Sequence, residues 1–307
     1  MTAAPALRDV SRATAGTNHQ AVTRFAGPHR DVPTGSHSAG GNPAGGNPAG
    51  GNPAGGDPAP GDQTPALVLA VHGSAVAEAG ETVRRLCDAV EAHGGIRPLV
   101  GHMDHQAPSL TEVLDELDAA GRKRAVVVPL LLGDGFHRTV DIPQILAAPR
   151  TLDTALTEGL SGESDVALAL YGRLREAECR AGERADAVVV AAAGSSRAGG
   201  NDGARTAVGQ LSVLLDAERG PVPVLPAYCS SSEPTVPEAV ALLRAAGYRR
   251  IAVATHLLAP GRFTHALAEA GAWTVAEPLA DHPRIARLVL RRYAAALRPA
   301  RRVRAAA

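Results

Sequence analysis

The sequence has little of what several kinds of chemistry need. Lys123 is the single lysine beside thirty arginines, so Schiff-base or lysine-nucleophile chemistry would have to rest on that one side chain. Aromatic residues make up 3% of the chain, too sparse for a base-stacking surface. Basic and acidic residues balance at 31 each, whereas a dedicated nucleic-acid binder carries a basic excess. The three cysteines, Cys87, Cys179 and Cys229, are scattered and form no C-x-x-C. That leaves a zinc ribbon or a four-cysteine iron–sulfur site without ligands, and it suits a reducing cytosol. No apolar run reaches the ~18 residues of a membrane span, and the first twenty residues lack the apolar core of a secretory signal. A cytoplasmic protein with neither membrane nor nucleic acid as a partner is expected. Catalytic signatures are missing too. There is no G-x-x-x-x-G-K-[ST] loop and no G-x-S-x-G elbow. The run Gly133-Asp134-Gly135-Phe136-His137-Arg138 begins like a dinucleotide fingerprint. It lacks the last glycine and follows the third expected strand rather than the first, so nicotinamide and flavin chemistry are set aside.

What is present falls into two parts. Residues 1–64 are rich in Gly, Pro, Ala and Thr, and from Gly40 they repeat with a period of five as GGNPA, GGNPA, GGNPA, GGDPA. Such a segment buries too little apolar surface to offset its ordering entropy, so a disordered tail is expected. Its histidines, His19, His29 and His37, are too separated for a persuasive metal store. From Leu67 onward, short apolar runs alternate with helical stretches, the pattern of a parallel sheet covered on both faces. Strands are expected at Leu67–Val71, Arg97–Gly101, Ala125–Leu132 and Val166–Leu170, then at Ala187–Ala192, Val222–Pro226, Ile251–Leu258 and Ala272–Ala276. Helices are expected over Glu78–His93, Pro108–Ala120, from near Asp141, over Pro234–Ala246, after Arg262, and over His282–Leu297. Pro108 and Pro234 lie 126 residues apart, as do Gly135 and Gly261. Equal offsets at two landmarks point to an internal duplication. The expected fold is α/β: two similar doubly wound parallel-sheet lobes, residues 65–183 and 184–298, with a basic, alanine-rich end at 299–307. One chain can then form its own cleft, so a monomer is expected, with a dimer as the alternative.

In such folds ligands bind beyond the carboxyl ends of the strands. In the first half that edge collects His72 after strand one, His102, Asp104 and His105 after strand two, and His137 after strand three. Imidazoles and a carboxylate on one edge can hold a divalent first-row metal and accept protons near neutral pH. Each has a plainer reading, since a lone strand-end histidine usually bonds a loop and Asp104 can cap one. The second half acts as a control. His72-Gly73-Ser74 becomes Ala193-Gly194-Ser195, Gly135-Phe136-His137 becomes Gly261-Arg262-Phe263, and Ser230 stands where Asp104 would be. The scaffold repeats and the polar set does not, which favours one site, carried by the first half and roofed by the second. His256 and His265 near the second edge are expected to be structural. Arg122, Lys123 and Arg124 precede strand three and belong to the opposite edge.

A strand ending in Val-His-Gly-Ser, then a carboxylate before Pro-Ser-Leu, then VVVPLLLGDGFHRTVDIP, resembles the sirohydrochlorin chelatase family (CbiX/SirB-like), the class II tetrapyrrole chelatases. The likeness runs from about Ala66 to Leu297, and the second copy is similar to the long, two-lobed form. The resemblance implies ATP-independent insertion of a divalent metal, Fe2+ or Co2+, into sirohydrochlorin, for sirohaem or cobalamin synthesis. It implies His72 and His137 as the metal-binding and proton-accepting pair. The family usually carries Glu before Pro-Ser-Leu; the matching carboxylate here is Asp104, one methylene shorter. Asp134 adds a carboxylate to the loop before His137. No cofactor beyond the metal substrate is implied, and the partners are a tetrapyrrole and a metal ion. A polycarboxylate macrocycle suits an arginine-rich cleft, with Arg138, Arg197 and Arg262 after strand ends, and Ser74 at a helix start, as candidate substrate contacts. Two other readings stay open: a non-catalytic metal or tetrapyrrole carrier, and a metal-dependent hydrolase, on the same fold.

Overall fold

The computed structural model describes residues 64–298 apart from His105. The expected tail, Thr64 aside, and the C-terminal end therefore lie outside the described residues, as does His105. Eight parallel strands form two sheets. In chain order the elements are β1 (Ala66–Val71), α1 (Ala77–Gly94), β2 (Leu99–His102), α2 (Leu110–Ala119), β3 (Arg124–Leu130), α3 (Ile142–Leu146), β4 (Asp153–Leu156) and α4 (Ser164–Ala181). Then come β5 (Ala187–Ala192), α5 (Asp202–Arg219), β6 (Val224–Tyr228), α6 (Val236–Ala245), β7 (Ile251–His256), α7 (Arg262–Ala268), β8 (Thr274–Val275) and α8 (Pro283–Leu297). The strand orders are β2-β1-β3-β4 and β6-β5-β7-β8. The two-lobed parallel α/β fold is as the alternation of apolar runs predicts.

The central strands are apolar on both faces because both faces are covered. In β1, Leu67 and Leu69 join an inner core while Val68 and Ala70 join an outer one. In β5, Val188 and Val190 point inward and Val189 and Ala191 outward, the same period of two. The inner core is common to both sheets: Leu86, Leu170, Leu211 and Leu288 from four different helices meet in it. The last helix of each half contributes by crossing over. α4 packs against α5, β7 and β8, while α8 packs against α1 and β3. Ion pairs tie the crossing helices down. Glu178, 2% exposed, accepts from Arg219 at 2.8 Å and from the Ala185 amide at 3.0 Å, and Arg292 meets Glu163 at 2.7 Å. Among the described residues no helix is long and apolar enough to cross a membrane.

Helix ends repeat as the strands do. Ser109 opens α2 with a capping box, its amide donating to Glu112 at 2.7 Å and its hydroxyl accepting from the Glu112 amide at 3.2 Å. Thr235 and Glu238 stand 126 positions later, and the Thr235 amide donates to Glu238 at 2.8 Å. One expected element is wrong in kind. Val166–Leu170 is not a strand but part of α4. The helix is buried between the two sheets and is apolar on more than one face, so its VALAL run looks like a buried strand. The true fourth strand, Asp153–Leu156, is a short, half-exposed edge with no such run. Helix α5 occupies residues for which the sequence reading assigns no element. β6 runs two residues later than expected, to Tyr228, and β7 ends at His256.

Candidate active site

Because all strands run parallel, their carboxyl ends share one edge, and the first lobe's site is built there. His72 directly follows β1, which ends at Val71. The chain then turns at Gly73, whose φ is 93°, a left-handed conformation that favours glycine. A Cβ at Gly73 would lie 1.9 Å from the carbonyl oxygen of Asp104. The loop after β2 thus crosses directly over the loop after β1. Two backbone bonds fix that crossing: the Met103 amide to the Val71 carbonyl at 2.8 Å and the Asp104 amide to the His72 carbonyl at 2.9 Å. They set Asp104 beside His72. His137 arrives from the third loop, at the start of a π-helical turn over His137–Asp141.

The three side chains converge. Nδ1 of His72 lies 3.9 Å from Oδ2 of Asp104, and Nε2 of His137 lies 3.7 Å from the same oxygen. One ligand atom from each lies within 4.8 Å of the others. The imidazole rings are 4.8 Å apart and tilted by 48°. The spacings of 3.7 and 3.9 Å are too long for direct hydrogen bonds and close to the roughly 3.4 Å between two ligands on a tetrahedral ion with ~2.1 Å bonds. His72 and Asp104 are half exposed, so an ion between them faces the outside.

Asp141 is the residue that sequence reasoning missed. Its Oδ2 accepts from Nδ1 of His137 at 2.7 Å. With the Nδ1 proton on that bond, the Nε2 lone pair is left towards Asp104, and the bond fixes the orientation of the ring. The signal was present: His137 and Asp141 are four apart, and a helical turn stacks such a pair on one face.

The other candidates scatter around this cluster. Nδ1 of His102 meets the Pro108 carbonyl at 3.0 Å, outside the metal-type set. The Ser74 hydroxyl accepts from the Val76 amide at 3.2 Å and donates to the Pro260 carbonyl of the second lobe at 3.4 Å. Arg138 is ion-paired with Asp134, so the two charged residues of that loop occupy each other. Arg197 lies over the Phe136 ring at 5.8 Å and Arg262 over the Phe263 ring at 5.2 Å. His256 is buried at the end of β7, its Nε2 lacks a hydrogen-bond partner, and burial pushes its pKa down to about 4. It stays neutral and structural.

The second lobe repeats the frame without the donors. Gly194 has φ of 90°, and a Cβ there would lie 1.8 Å from the Ser230 carbonyl. The Ser230 amide donates to the Ala193 carbonyl at 2.9 Å. The Ser195 hydroxyl accepts from the Arg197 amide at 3.2 Å, as Ser74 does from Val76.

The model of the CbiX family matches residues 66–177 and 187–296, one match for each lobe. A sirohydrochlorin cobaltochelatase of Methanocaldococcus jannaschii is 35% identical over 83 residues, 26% of this chain and 57% of that protein. The one from Methanothermobacter thermautotrophicus is 32% identical over 80 residues, 26% of this chain and 56% of that protein. The chain therefore spans little more than half the length of these curated relatives. Among solved structures, SirB from Bacillus subtilis with Fe3+ aligns with a TM-score of 0.58 at 22% identity, covering 75% of this chain and 94% of that one. At that identity the likeness is one of fold.

Proposed function

Because the chain belongs to the CbiX family through both of its halves, we propose that it inserts a divalent metal ion, Fe2+ or Co2+, into sirohydrochlorin without ATP. One observation carries the reading. In the lobe that keeps its polar residues, His72, Asp104 and His137 bring three metal-type donor atoms within 4.8 Å of one another at an exposed edge. The names of the relatives, sirohydrochlorin cobaltochelatases, support the substrate class.

The reaction has a simple balance. A free-base macrocycle takes up M2+ and releases two pyrrole protons. His72, Asp104 and His137 would hold the ion on the outer edge, where a macrocycle in the cleft can reach it. As each imidazole gives up the metal, its lone pair becomes free to take a proton. The exchange of one M2+ for two protons leaves the site's net charge unchanged, so no large electrostatic cost opposes it. Asp141 would steady the imidazolium formed at His137, through the 2.7 Å bond already in place. Holding ring and ion together turns a slow encounter into an oriented one. Arg138, Arg197, Arg262 and Ser74 remain the proposed contacts for the macrocycle's carboxylates. No redox or nucleotide cofactor enters, and the same reading makes the chain a cytoplasmic monomer whose partners are the tetrapyrrole and the ion.

The test is to mix the full chain with sirohydrochlorin anaerobically, without ATP, and follow absorbance with Fe2+ and Co2+ in turn. Conversion above the spontaneous rate, lost in His72→Ala and His137→Ala, is expected. A folded protein that accelerates neither metal would overturn the enzyme and leave a carrier.

A further inference from the structure

Phe136 is one of three phenylalanines in the chain and is 53% exposed. It directly precedes His137, in αR conformation at the start of the π-helical turn. Successive residues on a helical turn point roughly 100° apart. While His137 turns to Asp104, Phe136 therefore looks in another direction. Over its ring sits Arg197, from the loop after β5 in the other lobe. The two loops run close together: a Cβ on Gly133 would come within 3.1 Å of the Gly200 carbonyl, and one on Gly203 within 2.8 Å of the Leu132 carbonyl. Phe136 and Arg197 are thus presented at a tight seam, next to a metal donor.

The charges there are unusual. Arg138, on the same turn, is neutralised by Asp134. Among the described residues Arg197 and Arg262 have no carboxylate in ion-pair reach, and each rests on a phenylalanine ring instead. A cation–π contact at such an exposed site is weak, so a carboxylate readily displaces it. An unpaired guanidinium beside a site for a dication also repels that dication. A carboxylate arriving there would offset that repulsion.

We propose that Phe136 and Arg197 form a cross-lobe pair that positions an anionic macrocycle over the metal site. Phe136 supports one edge of the ring, and Arg197 leaves the phenyl face to pair with a ring carboxylate. The inference rests on the chelatase reading and adds Phe136 as a positioning residue, a pairing of Phe136 with Arg197, and a consequence. The macrocycle's carboxylate removes the repulsion from Arg197, so macrocycle and metal bind with mutual preference. The second lobe supplies the anion-recognising half of a site whose metal half lies in the first.

The experiment uses the full chain in the same anaerobic assay, comparing wild type, Arg197→Gln, Arg197→Lys, Phe136→Ala and Phe136→Tyr. Arg197→Gln and Phe136→Ala should each raise KM for sirohydrochlorin about tenfold, the scale of one lost charge-assisted contact. Their kcat should stay within about threefold. Arg197→Lys and Phe136→Tyr should recover most of the KM. In wild type the KM for Co2+ should fall as sirohydrochlorin is raised, and Arg197→Gln should weaken that dependence. Unchanged KM in a wild-type-like, folded Arg197→Gln and Phe136→Ala would overturn this pairing while the chelatase reading stands. Failure of wild type to turn over would overturn the chelatase reading itself. Equal losses in the conservative and disruptive variants would overturn the pairing, since a structural role alone predicts them.

Discussion

The two lobes share a frame and differ in a handful of side chains. Each has four parallel strands in matching order, a left-handed glycine under a crossing carbonyl, and a capping-box amide bond at the second helix. The first lobe carries His72, Asp104 and His137; at those places the second carries Ala193, Ser230 and Phe263. Frame and chemistry are therefore separable. Backbone hydrogen bonds and glycines build a crossing of two loops whatever their side chains, and only one copy of that crossing carries the three donor-type side chains, His72, Asp104 and His137. In the proposed function the second copy serves the macrocycle instead, through residues such as Arg197.

Breaking the comparison at the donors should have the largest effect. His137→Ala should lower turnover by at least about 10³-fold, since one residue both holds the metal and takes a proton. Phe263→Leu, its counterpart, should leave turnover within severalfold; a steady-state assay on both variants checks the contrast. Next come the glycines. Gly73→Ala and Gly194→Ala force the same clash, so each should lose about 2–4 kcal/mol in denaturant unfolding. Only Gly73→Ala displaces a metal donor, so in folded protein at low temperature only that variant should also lose Co2+ affinity. Asp141→Asn removes the negative charge behind His137 but keeps the side chain's shape. It should weaken metal affinity or turnover about 10–100-fold, with global stability nearly unchanged.

The last difference between the lobes shows only in acid. His256 occupies the place of Leu130 in the repeat and pairs across from Ala192, as Leu130 does from Val71. Its pKa is about 4 in the folded protein because burial disfavours the charged ring, against ~6.5 when unfolded. The unfolded chain thus binds a proton that the folded one refuses. Its contribution is intact above pH ~6.5, falls as the pH drops towards 4, and amounts to roughly 3 kcal/mol at the limit. His256→Leu should flatten that part of the stability profile between pH 7 and 4, measured by urea melts at a series of pH values.

Much of this was legible in the sequence, and the reasons are local. Seven of the eight strands announce themselves where β-type residues sit between turn signals, and Ser109–Glu112 marks a helix start. The donors were legible because parallel strands send His72, Asp104 and His137 to one edge whatever the details. The misreading of Val166–Leu170 comes from a tertiary cause: α4 is buried between two sheets, so its polar face is narrow and its period is hidden. β4 escaped for the opposite reason, since an edge strand with one protected side needs no apolar run. Asp141 was missed because its four-residue spacing from His137 stacks the pair only if the turn between them is helical, and the sequence reading begins that helix near Asp141 rather than at His137. The resting of Arg197 on Phe136 joins residues of different lobes, and no local pattern reports it.

The most direct measurement is anomalous scattering at the cobalt edge from crystals of the full chain soaked anaerobically in Co2+. One peak is expected in the two lobes, within about 2.0–2.3 Å of a nitrogen of His72, an oxygen of Asp104 and Nε2 of His137. That peak should be absent in His137→Ala. A peak at the second lobe's crossing, beside Ser230, or an unchanged peak in His137→Ala would contradict that placement.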